Sequence, residues 1–354
     1  MAKFIETLDG LMGRILDLDS RKLDLIGDTT RMESYVNGGG KLRLHVDMPD
    51  DTQTFALNPH MRGQVATDLG IPKRYFDRMT ADAPYLLRDN VNHWLREEPN
   101  RRMVRAYRED SGNVGRAWLS PGYRRLDNVE IAKTLLPEFE NLGTPVTFHQ
   151  AAVSDTKLYI RALFPGIERE VKKGDVVRWG VEITNSEVGS GTLGIRGFIL
   201  RLVCINGMTV AYTLKKRHVG RRIDEDGILS DQALQADDAA FWLAARDTLK
   251  ATIAETRFDE IVEQLRSTTG GEEIRRVVEA TQVLQKTFGF SDEEKNSVVT
   301  HLAAGGDLSR WGALNAVTAA AKSVPDVDRQ VEMEGIGWDV ANLTPKAWEA
   351  IALA

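Results

Sequence analysis

The chain of 354 residues, with 42% apolar and 28% charged side chains, has the composition of a soluble folded protein of about two domains, which excludes disordered and fibrous classes. No run approaches the ~18 uninterrupted apolar residues of a membrane span, the opening MAKFIETLDG lacks the apolar run of a signal peptide, and a lone cysteine, Cys204, excludes an internal disulfide framework and a thiolate zinc site. The net charge of -6 divides unevenly: residues 1–222 hold 34 Lys and Arg against 28 Asp and Glu, whereas 223–354 hold 12 against 24.

Residues 4–18 carry apolar side chains at helical spacing, and VNGGGKLRLHV reads as a glycine loop feeding a strand over 41–46. From Asn58 the pattern predicts three short helices, separated by Gly70 and Pro72, with Pro84 opening the third. RRMVRAYRED then alternates. Met103, Arg105 and Tyr107 fall on one face, and with SGN and VGRAWLS the segment 101–119 reads as a hairpin. In its second strand Arg116 and Trp118 are expected to share a face. An amphipathic helix is predicted over 128–142. Five strand-like segments follow without a helical break: PVTFHQAAV, TKLYIRALF, DVVRWGVEITN, TLGIRGFILRLVC and MTVAYTL. They predict an antiparallel meander over 145–214 with helices packed on it. From Ser230 the chain turns alanine- and acid-rich with a helical period, and Ser291 with Glu294 forms a capping box, with Ser309 as a further cap. The expected fold is therefore α+β: a β-meander with packed helices, followed by an α-helical C-terminal part. The expected regions are 1–99, 100–225 and 226–354.

Chemical motifs are sparse. Gly189, Gly191 and Gly194 match the dinucleotide fingerprint in letters, but IRGFILRLVC after them favours a strand, where a pyrophosphate needs a helix N-terminus. His45, His60, His93, His149, His218 and His301 show no metal-ligand spacing, no GxSxG elbow is present, and Cys204 in LVCIN reads as a core residue. No cofactor, metal or catalytic residue is predicted, and an enzyme is the less expected class.

Cations carry the functional signal. No acidic residue occurs over 188–223, which holds seven Lys and Arg, and 101–125 holds seven arginines against Glu109 and Asp110. They are interleaved with aromatics. Single-stranded nucleic acid is held by cations along its phosphates and by aromatic faces against its bases. The candidate nucleic-acid-binding residues are Arg105, Tyr107, Arg116, Arg124, Arg125, Arg196, Arg201, Lys215, Lys216 and Arg217.

The blocks RAWLSPGYRRLDN, VKKGDVVRWGVEITNSEVGSG, FILRLVCINGM, KKRHVG and WGALNAVTAAAK resemble the phage/plasmid-like protein family, domain of unknown function nine-thirty-two, over about 61–322. The order of strands and helices in that family is similar to the Rad-type single-strand annealing superfamily, which includes phage recombinases. The resemblance implies a phage or plasmid protein that binds and anneals single-stranded DNA, or RNA, in recombination. It further implies a homo-oligomeric ring or filament in the cytoplasm of a bacterial host, with no membrane partner. Two other classes are weighed beside it: a host-takeover or anti-restriction interaction protein that binds no nucleic acid, and a nucleic-acid-processing enzyme. Loss of affinity with rising salt discriminates the first reading from the second.

Overall fold

The computed structural model describes residues 4–49, 52–123, 126–210 and 231–354. Helix α1 (Leu8–Ser20) starts where the Thr7 hydroxyl accepts from the Gly10 amide, and its 4–3 spacing buries Leu11, Ile15 and Leu18. Four strands follow, β1 (Lys22–Asp28), β2 (Met32–Val36), β3 (Leu42–Asp47) and β4 (Thr52–Leu57), of which only β3 is predicted above. The punctuation by Gly70, Pro72 and Pro84 yields α2 (Pro59–Asp68), α3 (Lys73–Asp82) and α4 (Pro84–Glu97), with proline in the first turn of α4. The expected hairpin is β5 (Arg101–Tyr107) and β6 (Asn113–Leu119).

These six strands form one sheet in the order β1-β5-β6-β4-β3-β2, antiparallel except where β4 runs parallel to β6. The hairpin β5–β6 lies between β1 and β4, so the sheet takes strands from both sides of the boundary expected at 99/100. One face buries Leu44, Val46, Phe55, Val104 and Trp118 against Met61, Val65, Phe76, Leu87 and Leu95 of α2–α4. The edge strand β2 is closed by a side chain. The Ser34 amide donates to Asn92 Oδ1 at 2.7 Å, and Asn92 Nδ2 donates to the Ser34 carbonyl at 2.9 Å.

The helix predicted over 128–142 is split: α5 (Asn128–Leu135) passes into a 3₁₀ segment (Pro137–Leu142), because Pro137 lacks the amide hydrogen an α-helix needs. The meander follows as expected. Strands β7 (Thr147–Val153), β8 (Leu158–Lys172), β9 (Asp175–Asn185), β10 (Gly194–Arg201) and β11 (Asn206–Val210) pair antiparallel in the order β11-β10-β9-β8-β7. Residues 211–214 of the expected last strand lie outside the described residues. Residues 202–205 form a turn, so Cys204 is exposed and not part of a core strand.

The C-terminal part consists of α6 (Asp231–Thr252), α7 (Glu255–Ser267), α8 (Val277–Phe288), α9 (Asp292–Gly305), α10 (Arg310–Ala321), α11 (Val327–Ala341) and α12 (Pro345–Ala352). The capping box at Ser291 and Glu294 and the Ser309 cap are both present. One apolar core joins these helices to the meander and to α1 and α5, running from Leu11 to Ala352. Within it Trp179 stacks on Phe258 with ring centroids 5.2 Å apart. On the other face of the meander, buried Arg161 binds Glu182 of β9 at 2.7 Å and also Glu334 of α11, and burial pushes the Glu334 carboxyl above its ordinary range against the pull of that guanidinium. Among the described residues no helix is long and apolar enough to cross a membrane.

The outer edge of the Trp179 ring points at Gly197, where a Cβ would come within 2.2 Å of it. Gly197→Ala is expected to cost about 2 kcal/mol or more, because the tryptophan is pinned by Phe258 and cannot retreat. Gly13→Ala in α1, where nothing lies within 4 Å of the new methyl, should be neutral or gain up to about 1 kcal/mol. Urea midpoints of the two variants check this, and a Gly197→Ala midpoint equal to the parent's would contradict the packing.

Candidate nucleic-acid interface

The sequence places Arg105, Tyr107 and Arg116 on a strand surface facing phosphates; the structure places them between the two sheets. Arg105 is fully buried. Its Nε and Nη2 donate to the Asp24 carboxylate at 3.0 Å each, Nη2 also reaches Asp127 at 2.8 Å, and Nη1 donates to the Glu187 carbonyl at 2.9 Å. Arg116 binds Glu187 at 3.1 Å and lies over the Tyr107 ring, 3.9 Å from its centroid. Lys22 of β1 completes the cluster, with Asp19 and Glu187 at 2.9 Å and Asp127 at 3.2 Å. The carboxylates that hold these cations leave no route for Arg105 or Arg116 to a phosphate in this arrangement.

A β-bulge explains the position of Arg116. Arg105 pairs with Ala117 and Ala106 with Gly115, so Arg116 is the extra residue and turns toward Tyr107. Trp118 points the other way, into the helical layer, where its indole donates to Asp68 at 2.8 Å. The two do not share a face. Electrostatics follow from the packing. Burial works against the charged form of Arg105, yet the Asp127 and Asp24 carboxylates outweigh it and raise its pKa. Burial likewise opposes Lys22, and Glu187 with Asp127 outweigh it, so its pKa is raised too. Burial pushes the Tyr107 phenol up to about 12. Asp127 is held below its ordinary 3.8, because Arg105 and Lys22 overcome the cost of burying it.

The remaining candidates are dispersed. Arg201 forms a two-pronged pair with Asp175, both contacts at 2.7 Å, and Trp311 donates to the same carboxylate at 2.8 Å. Arg196 is half-buried on β10, directly opposite Glu182 in register, and has no ion pair among the described residues. It lines a cleft of about 600 Å³ with Lys157, Asp328, Glu332 and Asp339. Arg124, Arg125, Lys215, Lys216 and Arg217 lie outside the described residues. The glycines at 189, 191 and 194 form a loop that ends in strand β10, so no helix N-terminus follows them. Gly189 has φ +77, and a side chain there would strike Leu119 of the first sheet at 2.8 Å.

An aromatic surface of mixed charge does exist, on the half of the first sheet away from these ion pairs, with Glu33 opposite His45 in register. With α2–α4 on the opposite face, β2 and β3 turn Tyr35, Arg43 and His45 outward, all half-buried. Tyr35 stacks on His45, centroids 4.2 Å apart and planes 23° apart. Arg43 sits opposite Tyr35 in register and His45 opposite Thr54, whose hydroxyl is 3.0 Å from His45 Nδ1. Around the sheet edge a groove of about 670 Å³ continues past Arg88, His93 and Arg96 of α4, the first paired with Asp89 and the last with Glu33. These residues are absent from the sequence-based set. The alternation in MESYV and LRLHV is the signal that points to them. Comparison with family models, curated proteins and solved structures yields no match.

Arg105→Ala is expected to destabilise the fold by roughly 3–5 kcal/mol, since it removes the buried guanidinium that Asp24 and Asp127 share. A large fall in the urea midpoint checks it; a parent-like midpoint would mean that the cluster carries no structural weight. The lowered pKa of Asp127 adds stability that is complete above its ordinary value and is lost as the pH falls through the depressed one, so the cluster weakens below about pH 4. Asp127→Asn should flatten that acid limb of a stability-against-pH curve.

Proposed function

We propose that this protein binds single-stranded nucleic acid and anneals complementary strands, acting as a homo-oligomer in the recombination of a phage or plasmid. The observation that carries the reading is the stacked Tyr35–His45 pair with Arg43 beside it on an open sheet face. Aromatic side chains on a sheet accept bases of any sequence, and neighbouring cations follow the phosphates. The acid-free stretch 188–223, with Lys215, Lys216 and Arg217, supplies the strongest run of positive charge in the chain. Annealing itself requires only that backbone repulsion be neutralised and two strands be held together with their pairing edges free. The acidic C-terminal part, 223–354, would repel nucleic acid outside that surface.

A labelled single-stranded oligonucleotide titrated at several salt concentrations tests the reading. Tyr35→Ala with His45→Ala should lose about 1–3 kcal/mol per stacked base, roughly five- to 150-fold in affinity, with the melting curve retained. Changing Lys215, Lys216 and Arg217 together to Ala should flatten the salt dependence by up to about two units, at ~0.7 per phosphate contact. Light scattering should return a mass above that of one chain. A parent protein that binds no oligonucleotide, or a monomer with and without DNA, would turn the reading toward a protein-interaction role.

A further inference from the structure

The cleft of about 600 Å³ that Arg196 lines runs between the loop after β9, the turn before β8 and one face of α11. Two glycines of the 189–194 loop seat its cations. A Cβ at Gly191 would lie 3.6 Å from Lys157 Cε, and one at Gly194 would lie 3.4 Å from Arg196 Nε. Three residues of chain span at most about 11 Å, so both side chains converge on one short stretch. Each is half-buried, and neither has an ion pair or a side-chain hydrogen bond among the described residues. On the facing wall Asp328, Glu332 and Asp339 recur at spacings of four and seven along α11. The first two are occupied. Asp328 accepts from the hydroxyls of Ser154 at 2.9 Å, Tyr159 at 3.0 Å and Thr156, and Glu332 pairs with Arg329 at 2.8 Å. Asp339 has no ion pair among the described residues, and burial raises its pKa with no cation to offset it.

Two like charges held together repel, and partial burial removes part of the water that screens them; a dianion between them relieves both costs. An arginine fork with a neighbouring ammonium is a donor set that phosphate oxygens take. The free Asp339 carboxylate is an acceptor for hydroxyl donors, and the volume is that of a small-molecule site. We propose that the cleft binds a small phosphomonoester bearing hydroxyl groups, a sugar phosphate or a nucleoside monophosphate, with its phosphate between Arg196 and Lys157 and its hydroxyls donating to Asp339. The phosphate dianion balances the two cations, which a neutral sugar would leave unpaired. Val331 and Ile336 of α11 give the cleft an apolar strip against which the sugar can lie. The site stands apart from the Tyr35–His45 surface and requires no nucleic-acid binding.

Titration calorimetry on the full chain tests this with ribose 5-phosphate, ribose, inorganic phosphate, sulfate and glutamate at one ionic strength. Ribose 5-phosphate should bind, inorganic phosphate about tenfold more weakly, and ribose not at all. Arg196→Gln and Lys157→Gln should each weaken ribose 5-phosphate by about tenfold or more. Lys157 lies in a turn, so its variant keeps the test intact should Arg196→Gln disturb the fold. Asp339→Asn should weaken ribose 5-phosphate several-fold and leave inorganic phosphate unchanged, which a merely electrostatic attraction would not do. Adenosine 5′-monophosphate separates the two sources: tighter binding than ribose 5-phosphate assigns the nucleotide, and weaker binding the sugar phosphate. No binding of either phosphomonoester, or equal affinity for ribose 5-phosphate and sulfate that survives Lys157→Gln, would overturn the proposal. Tighter binding of glutamate than of ribose 5-phosphate would overturn the phosphomonoester class. None of these readouts involves an oligonucleotide, so the annealing reading stands or falls separately.

Discussion

The carboxylate of Glu187, 3% exposed between the two sheets, is the point on which the arrangement of the chain turns. It takes Lys22 from the first strand, Arg116 from the bulge of β6 and the backbone amide of Asn128 at the start of α5, while its own carbonyl takes Arg105. Each partner comes from a different element, so the two sheets fit together in one register only. Apolar packing alone tolerates sliding; a buried charge with fixed partners does not, because any shift leaves one of them unpaired in a low-dielectric setting. The bulge at Arg116 is part of this arrangement, since without the extra residue its side chain would face the helical layer.

A comparable device ties α11 to the meander. Arg161 binds Glu182 on the sheet and Glu334 on the helix, and Thr209 of β11 donates to Glu182 at 3.3 Å. Here two carboxylates share one guanidinium; burial, with the Glu182 charge adding to it, raises the Glu334 pKa against the pull of Arg161. The C-terminal helices are therefore joined to the β core by both an apolar surface and a buried ionic contact. They do not form an appended body.

The meander was legible because its strands are long and rich in branched and aromatic residues, and the helices because capping residues and prolines mark their ends. In strands β1, β2 and β4 half of the residues are apolar and the rest include Asp, Glu, Thr and Gln, without the run of branched and aromatic residues that marks the meander, so their pairing is decided by neighbours far along the chain. The fate of the arginines was hidden for the same reason. Arg105 finds Asp24 81 residues away, Asp127 22 residues away and the Glu187 carbonyl 82 residues away. Spacing along one strand cannot reveal such partners. A basic strand reads alike whether its cations meet solvent or carboxylates. Cys204 failed differently: LVCIN has the composition of a strand, but the tight reversal from β10 to β11 falls within it.

The closure of β2 by Asn92 bears on how a partner can approach. An open edge strand offers a row of amides and carbonyls on which an extended peptide can lie as one more strand. At Ser34 both backbone groups are already taken by the carboxamide of α4, so a peptide adding to this edge would have to displace it and leave Asn92 unpaired beside Leu87, Val91 and Leu95. Recognition by strand addition is thereby discouraged at the rim next to Tyr35 and His45. What this rim leaves available is the flat of the sheet, a surface suited to planar rings and poorly suited to a polypeptide backbone.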